Sequence, residues 1–286
     1  MTTYIISTSK AQYLIKKIKE KQIKAVFPKE NKRGERQFLD KEIYVKIPEA
    51  ERLKNKRVVI LHSGAPDPNE GIIELELILE ILKDYDIRPE VFFSYFPYSR
   101  QDKVFEKGET NAALSLIKKL ITYYLVKKIY VIDPHFGKRA WINKYPIKAI
   151  SVVEEMIERA KKDFKEDILF MSPDKGGKRR TGINGLKKKR INDCKIKISS
   201  KEIDLKGKTI AVVDDIIGSG ATLIKFYDFA KKCKAKKVIA LITHGVISEG
   251  IKEIKKKYSK LYLTNTINRK EANIDISQII VRNILD

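Results

Sequence analysis

Residues 210–223 read IAVVDDIIGSGATL, and this stretch decides the fold. Ile210 to Val213 form an apolar run with the look of a buried parallel strand. Two adjacent carboxylates, Asp214 and Asp215, end it. A small-residue turn follows: Gly218, Ser219, Gly220, Ala221 and Thr222. Leu223, Ile224, Phe226 and Tyr227 then resume an apolar pattern, which predicts a helix starting there. Glycine lets a backbone adopt φ > 0 and approach a ligand closely. N–H groups at a helix start make an anion site, and Ser219 and Thr222 add hydroxyls beside it. Paired carboxylates one step earlier suit vicinal hydroxyls or a hard cation. A diol and a phosphate in one ligand describe a ribose 5-phosphate. An ordinary βα turn with an acidic strand end is the competing reading.

Outward from this stretch, strand-like runs recur at Thr3–Ser7, Arg57–Leu61, Val91–Tyr95, Lys128–Ile132, Ile168–Met171, Thr209–Val213, Val238–Ile242 and Leu261–Leu263. Amphipathic stretches sit between most of them: Ile72–Lys83, Asn111–Leu125, Val152–Lys162 and Leu223–Cys233. Alternating β and α predicts an α/β fold with mainly parallel sheets flanked by helices, and ligand sites beyond the carboxyl ends of strands. Pro146 marks a crossover, so the expected domains are residues 1–145 and 146–286, two halves of similar rhythm that suggest a duplication.

Composition narrows the function classes. The chain is 43% hydrophobic, enough for real cores, and no apolar run reaches membrane-span length. The first 21 residues have no basic region ahead of a long apolar stretch, so no signal peptide is read. Two cysteines, Cys194 and Cys233, make neither a disulfide framework nor a metal cluster, and a reducing cytoplasm is the default. The net charge of +23 would suit nucleic acid or a membrane surface. Lysine is spread along helix-like segments such as Leu14–Lys24 and Ile251–Lys260, however, which reads as solvated faces with an electrostatic gain for phosphorylated substrates.

The 210–223 motif resembles the phosphoribosyl-diphosphate (PRPP) binding motif of type I phosphoribosyltransferases and PRPP synthetases. It is not a Walker A loop, because no Gly-Lys-Ser/Thr closes it. Further segments are similar to the PRPP synthetase family over nearly the whole chain. QFLDKEIYVKI resembles the family's adenine-holding Phe-x-Asp-Gly-Glu, with Phe38, Asp40 and Glu42 in place and Lys41 where the family has glycine. SYFPYSRQDKVFEKGE, from Ser94 to Glu109, resembles Tyr-x-Pro-Tyr-x-Arg-Gln-Asp and implies ATP contacts from Arg100 and Gln101. A guanidinium offers a rigid fork to phosphate oxygens. VIDPHFGKRAW resembles an Asp-Leu-His segment with Pro134 for leucine, implying that His135 helps hold Mg²⁺ and ATP. SPDKGGKRR implies a metal-linked Asp174.

In GLKKKRINDCKIKI, the family's catalytic Lys-x-Arg falls on Lys188 and Arg190, with Lys187 and Lys189 as one-position alternatives. Fourteen positions separate Asp174 from Lys188, fewer than the family spends. Either a helix is nearly absent there or the loop is remodelled. LTNTINRKEANIDISQIIVRNILD resembles the family's Thr-Asp-Thr-Ile segment and closing helix, with Asn265 for aspartate and a tail expected to pack back on the first domain. His62 and His244 read as structural, although His244 in THGV also sits at a strand end and matches a family segment.

The resemblance implies two duplicated phosphoribosyltransferase-like domains, an ATP side and a ribose 5-phosphate side. It also implies Mg²⁺, diphosphoryl transfer from ATP to the sugar, and a homo-oligomer. Ribose 5-phosphate would be held by Asp214, Asp215, Gly218, Ser219, Gly220, Ala221 and Thr222. Three rivals remain: a phosphoribosyltransferase consuming PRPP, a non-catalytic regulatory paralogue, and a nucleic-acid binder supported by charge alone.

Overall fold

A computed structural model describes residues 2–173, 183, 195–198 and 201–286 of the chain. Asp174, Lys188 and Arg190, like Lys187 and Lys189, lie outside the described residues. The chain divides into two compact units, Met1–Ile150 with Ile276–Asp286, and Ser151–Asp275.

The first unit holds a six-stranded sheet. Its strands are β1 (Thr3–Ser7), β2 (Ile23–Val26), β3 (Arg57–Ser63), β4 (Glu90–Tyr95), β5 (Lys128–Ile132) and β6 (Ile147–Ile150), in the order β2-β1-β3-β4-β5-β6. Every neighbouring pair is parallel. From Val58 to Ser63 and from Val91 to Tyr95 every residue is buried, as strands covered on both faces require. The sheet packs with α2 (Pro68–Asp84) and α3 (Ala112–Thr122); α1 (Gln12–Ile15) is a single turn. Leu75, Ile78, Leu79 and Leu82 place one face of α2 in the core. Asn111 caps α3, its Oδ1 accepting from the Leu114 N–H at 3.0 Å, a bond of the kind worth about 1 kcal/mol.

The second unit holds a four-stranded parallel sheet, β12-β11-β10-β7, from β7 (Ile168–Met171), β10 (Thr209–Ile217), β11 (Lys237–Gly245) and β12 (Lys260–Leu263). Helices α4 (Val153–Asp163), α5 (Ala221–Lys232) and α6 (Ser248–Lys257) belong to this unit. β8 (Lys195–Ile198) and β9 (Lys201–Asp204) pair antiparallel as a separate two-stranded sheet. Helix α7 (Ser277–Leu285) belongs to the first unit, and Arg57 donates to the carbonyl of Ile284.

Two readings are corrected. Leu14–Lys24 is not a helix: Gln12–Ile15 makes one turn, and Ile23 already starts β2, an edge strand paired with β1. Burial of Leu14 and Ile15 and pairing of Ile23 outweigh the helix preference of the lysines between them. The helix expected at Ile251–Lys260 runs Ser248–Lys257, and Lys260 opens β12. Cys233, which closes α5, is buried, and Cys194 lies outside the described residues. Among the described residues no helix is long and apolar enough to cross a membrane.

Candidate active site

Strand β10 is central in its sheet and runs two pairs of residues further than its apolar stretch. Asp214 pairs with Ile242 and Ile216 with His244 in register, so the carboxylates lie within the strand rather than after it. Asp214 is 6% and Asp215 2% exposed, and the Asp215 N–H donates to Asp214 Oδ1 at 3.1 Å. The turn beyond them opens outward: Ser219, Ala221 and Thr222 are exposed. Gly220 is the residue before α5 and has φ +82°, a conformation that side chains with a Cβ rarely adopt. Its carbonyl accepts from the Ile224 N–H at 2.9 Å. The first four N–H groups of a helix have no intrahelical partner. The start of α5 therefore offers donors and a positive dipole end directly beyond two buried carboxylates. The predicted sugar-phosphate residues, Asp214 to Thr222, are brought together on one strand end.

Next to this turn, the Ile217 carbonyl accepts from the N–H groups of Val246 and Ile247 at 3.0 and 3.3 Å. His244, buried at the end of β11, meets Thr266 Oγ1 through Nδ1 at 2.9 Å. Thr266 and Thr264 hydroxyls both donate to the Thr243 carbonyl. His244 is thus a buried, hydrogen-bonded histidine at a strand end.

The predicted ATP residues lie in the first unit on three separate segments. Residues 29–46 form an antiparallel excursion with bridges Lys29–Lys46 and Gln37–Ile43. At its tip the Phe38 N–H donates to the Glu42 carbonyl and the Lys41 N–H to the Phe38 carbonyl, both at 2.9 Å. Lys41 has φ +73°, so it adopts the turn that glycine would make easily. Phe38 and Leu39 are exposed there.

Arg100 and Gln101 follow β4. Pro97 stiffens the exit and packs on Gly64, where a Cβ would come within 2.4 Å of the proline ring. A cavity of about 480 Å³ is lined by Tyr95, Tyr98, Ser99, Arg100 and Gln101. Asp133 and His135 follow β5. Tyr98 and Asp133, with φ of +55° and +33°, join Lys41 as non-glycine residues with positive φ on these segments. Such conformations concentrate at functional sites.

Sequence reading did not find the group that ties two of these segments together. Asp102, whose side chain is 3% exposed, accepts from Arg139 Nε and Nη2 at 2.6 and 2.9 Å. This fork raises the Arg139 pKa further, against the opposing effect of its burial. The Asp102 carbonyl accepts from Asn111 Nδ2 at 3.0 Å and from Trp141 Nε1 at 3.3 Å. Phe136 stands between Phe96 and Trp141, with both ring centroids 5.1 Å away. The Arg100–Gln101 segment and the His135 segment are therefore locked to each other. An Asp and an Arg separated by 37 positions carry no local sign of pairing.

Mg²⁺ usually binds through one or two carboxylates together with substrate phosphates and water. Among the described residues no three His, Cys, Asp or Glu side chains gather as a metal cage. The adjacent Asp214 and Asp215 carboxylates beside an anion-binding turn fit a Mg²⁺ shared with substrate phosphates.

Both units match known families. Residues 3–124 match the N-terminal domain of ribose phosphate pyrophosphokinase, and residues 158–276 match the phosphoribosyl transferase domain. The fold and site thus define a two-domain protein of the phosphoribosyltransferase class. The chain belongs to the ribose-phosphate pyrophosphokinase family. It is 33% identical over 254 residues to the ribose-phosphate pyrophosphokinase of Pyrococcus furiosus, covering 84% of this chain and 88% of that one. With the Pyrococcus abyssi protein of the same name it shares 31% over 259 residues, 86% of this chain and 88% of that one. The fold is similar to the phosphoribosylpyrophosphate synthetase from Mycobacterium smegmatis, with TM-score 0.79 at 20% identity, over 100% of this chain and 98% of that one.

Proposed function

We propose that this chain transfers the diphosphoryl group of ATP to the 1-hydroxyl of ribose 5-phosphate, giving PRPP and AMP. The observation that carries this reading is the pair of buried carboxylates, Asp214 and Asp215, followed by a glycine turn that starts α5 and exposes Ser219, Ala221 and Thr222. Family membership supports the reaction.

In this reading the first unit supplies the ATP side and the second unit the ribose 5-phosphate side. Asp214 and Asp215 accept hydrogen bonds from the vicinal hydroxyls of the sugar. Gly218, Ser219, Gly220, Ala221 and Thr222 hold its phosphate. Phe38, Asp40 and Glu42 hold adenine, and Arg100, Gln101 and His135 the triphosphate. The oxygen of the 1-hydroxyl attacks the β-phosphorus. The bond from that phosphorus to the oxygen bridging it to the α-phosphorus breaks, AMP leaves with that oxygen, and the hydroxyl proton is released. Positioning and charge neutralisation are the main needs of such a transfer. Lys188 and Arg190 stabilise the charge growing on the transferred group. Mg²⁺, held by His135 and Asp174 together with the phosphates, would supply further neutralisation, and a second ion would sit on Asp214 and Asp215. The exposed adenine turn suits a site completed by a second copy, so we read the protein as a homo-oligomer. A cytoplasmic location rests on the family assignment.

Phosphorus NMR of the chain with ATP and Mg²⁺ tests the reading. PRPP and AMP are expected to appear together, only when ribose 5-phosphate is added. PRPP consumed in the presence of a free base would instead mark a phosphoribosyltransferase.

A further inference from the structure

The geometry points to Gly250 as a positioning residue for the sugar-phosphate turn, with Arg269 as the clasp that keeps it in place. The inference rests on reading residues 214–222 as the ribose 5-phosphate site.

Gly250 lies inside α6, where glycine weakens a helix relative to alanine. The contact it makes explains its presence. A Cβ at 250 would stand 2.0 Å from the Gly218 carbonyl oxygen, 3.0 Å from the Ser219 carbonyl carbon and 3.1 Å from the Gly218 carbonyl carbon. All three are backbone atoms, which cannot rotate away as a side chain can. The opposite face of the contact is in ordinary van der Waals touch. A Cβ at Gly220 would meet the Gly250 carbonyl oxygen and Ile254 Cδ1, each at 3.4 Å. The helix backbone therefore lies flush against the turn that would cradle the phosphate.

This seat is itself fixed. Val246 and Ile247, just before α6, hold the Ile217 carbonyl at the start of the turn. Arg269 then holds the segment leading into α6. Its Nε donates to the Gly245 carbonyl at 3.0 Å, its Nη1 to Ser248 Oγ at 3.0 Å, and its Nη2 to the Val246 carbonyl. A planar five-donor fork can reach all three acceptors, and a lysine cannot. Ile251 and Ile254 anchor the helix in the core.

The consequence is chemical. Phosphate affinity depends on where the turn points its N–H groups, and each hydrogen bond lost to a charged group costs about 1.5–3 kcal/mol, or about 10- to 100-fold in affinity. Alanine at 250 must push the turn outward, because neither backbone can yield alone. The ATP segments belong to the other unit and do not share this contact.

The test uses the full chain and three variants: Gly250→Ala, Arg269→Lys, and Val238→Ala as a buried core control away from the turn. Calorimetry gives the ribose 5-phosphate Kd, steady-state kinetics give both KM values, and thermal melting reports stability. Gly250→Ala is expected to raise the ribose 5-phosphate Kd at least about tenfold while ATP KM stays within about twofold. Val238→Ala is expected to lower Tm and leave both constants. An unchanged Kd in folded Gly250→Ala, or an equal loss in Val238→Ala, overturns the proposal. If Gly250→Ala does not fold, Arg269→Lys decides: a sugar-selective loss of about fivefold supports it, and no change overturns it. A wild-type chain that does not bind ribose 5-phosphate refutes the underlying site reading instead.

Discussion

Removing the Arg139 fork while leaving Asp102 in place probes how the nucleotide side is built. In Arg139→Met the carboxylate of Asp102, 3% exposed, loses donors at 2.6 and 2.9 Å. Breaking a fully buried ion pair this way costs about 3–5 kcal/mol. The Arg139 side chain is 34% exposed, so water reaches the vacated side and the loss falls to about 2–3 kcal/mol. The Asn111 and Trp141 bonds to the Asp102 carbonyl remain, so the first unit stays folded. If about half of that loss appears as freedom of the Arg100–Gln101 segment against the His135 segment, ATP KM rises about tenfold. Ribose 5-phosphate KM should hold, because Asp214–Thr222 lies on another sheet. Arg139→Lys, a point charge that replaces one of two bonds, should recover part of the loss. The assay is AMP formation with each substrate varied in turn, beside a melting curve. Both KM values rising in parallel, or ATP KM unmoved in a folded variant, would refute the reasoning.

Other outcomes follow from single groups. Lys41→Gly relieves a left-handed residue with φ +73° and should stabilise the tip turn by about 1 kcal/mol, read as slower local hydrogen exchange at residues 38–42; faster exchange would contradict this. His62 is fully buried, and burial lowers its pKa from 6.5 to about 3. Its contribution to stability is therefore complete above about pH 6.5 and is lost as pH falls toward 3, with a slope of about 1.4 kcal/mol per pH unit. Urea unfolding from pH 7 to pH 4 should show this slope in the wild type and not in His62→Gln; equal slopes would exclude His62 as the source. Lys188→Ala should lower kcat far more than it weakens ribose 5-phosphate binding, and comparable losses in both would remove Lys188 from the transition state.

The sequence was most legible where local chemistry and fold agree. Ile210–Val213 is buried on both faces and its apolar character shows it, and Gly220 takes the left-handed turn that its setting demands. The same principle fails at Leu14–Lys24, where a helix-like spacing of lysines covers an edge strand whose identity comes from pairing with β1. Strand β6, four residues long and half exposed, has too weak a pattern to stand out. Arg139, Gly250 and Arg269 were not readable as site residues, because each acts on a partner more than 20 positions away. Only Gly250 left a trace, a glycine inside an amphipathic helix. The catalytic basic segment around Lys188 rests on resemblance alone.

The sugar site is the centre of the account, and its carboxylate pair makes a specific demand on the substrate. A site that hydrogen-bonds both vicinal hydroxyls should reject a sugar that lacks one of them. The most direct measurement is the initial rate of AMP formation from ATP and Mg²⁺ with ribose 5-phosphate, with 2-deoxyribose 5-phosphate, and with no sugar. The account predicts AMP and PRPP in equal amounts with ribose 5-phosphate, kcat/KM at least ~100-fold lower for the deoxy sugar, and no AMP without sugar. Equal rates with the two sugars, or AMP formed without either, would contradict it.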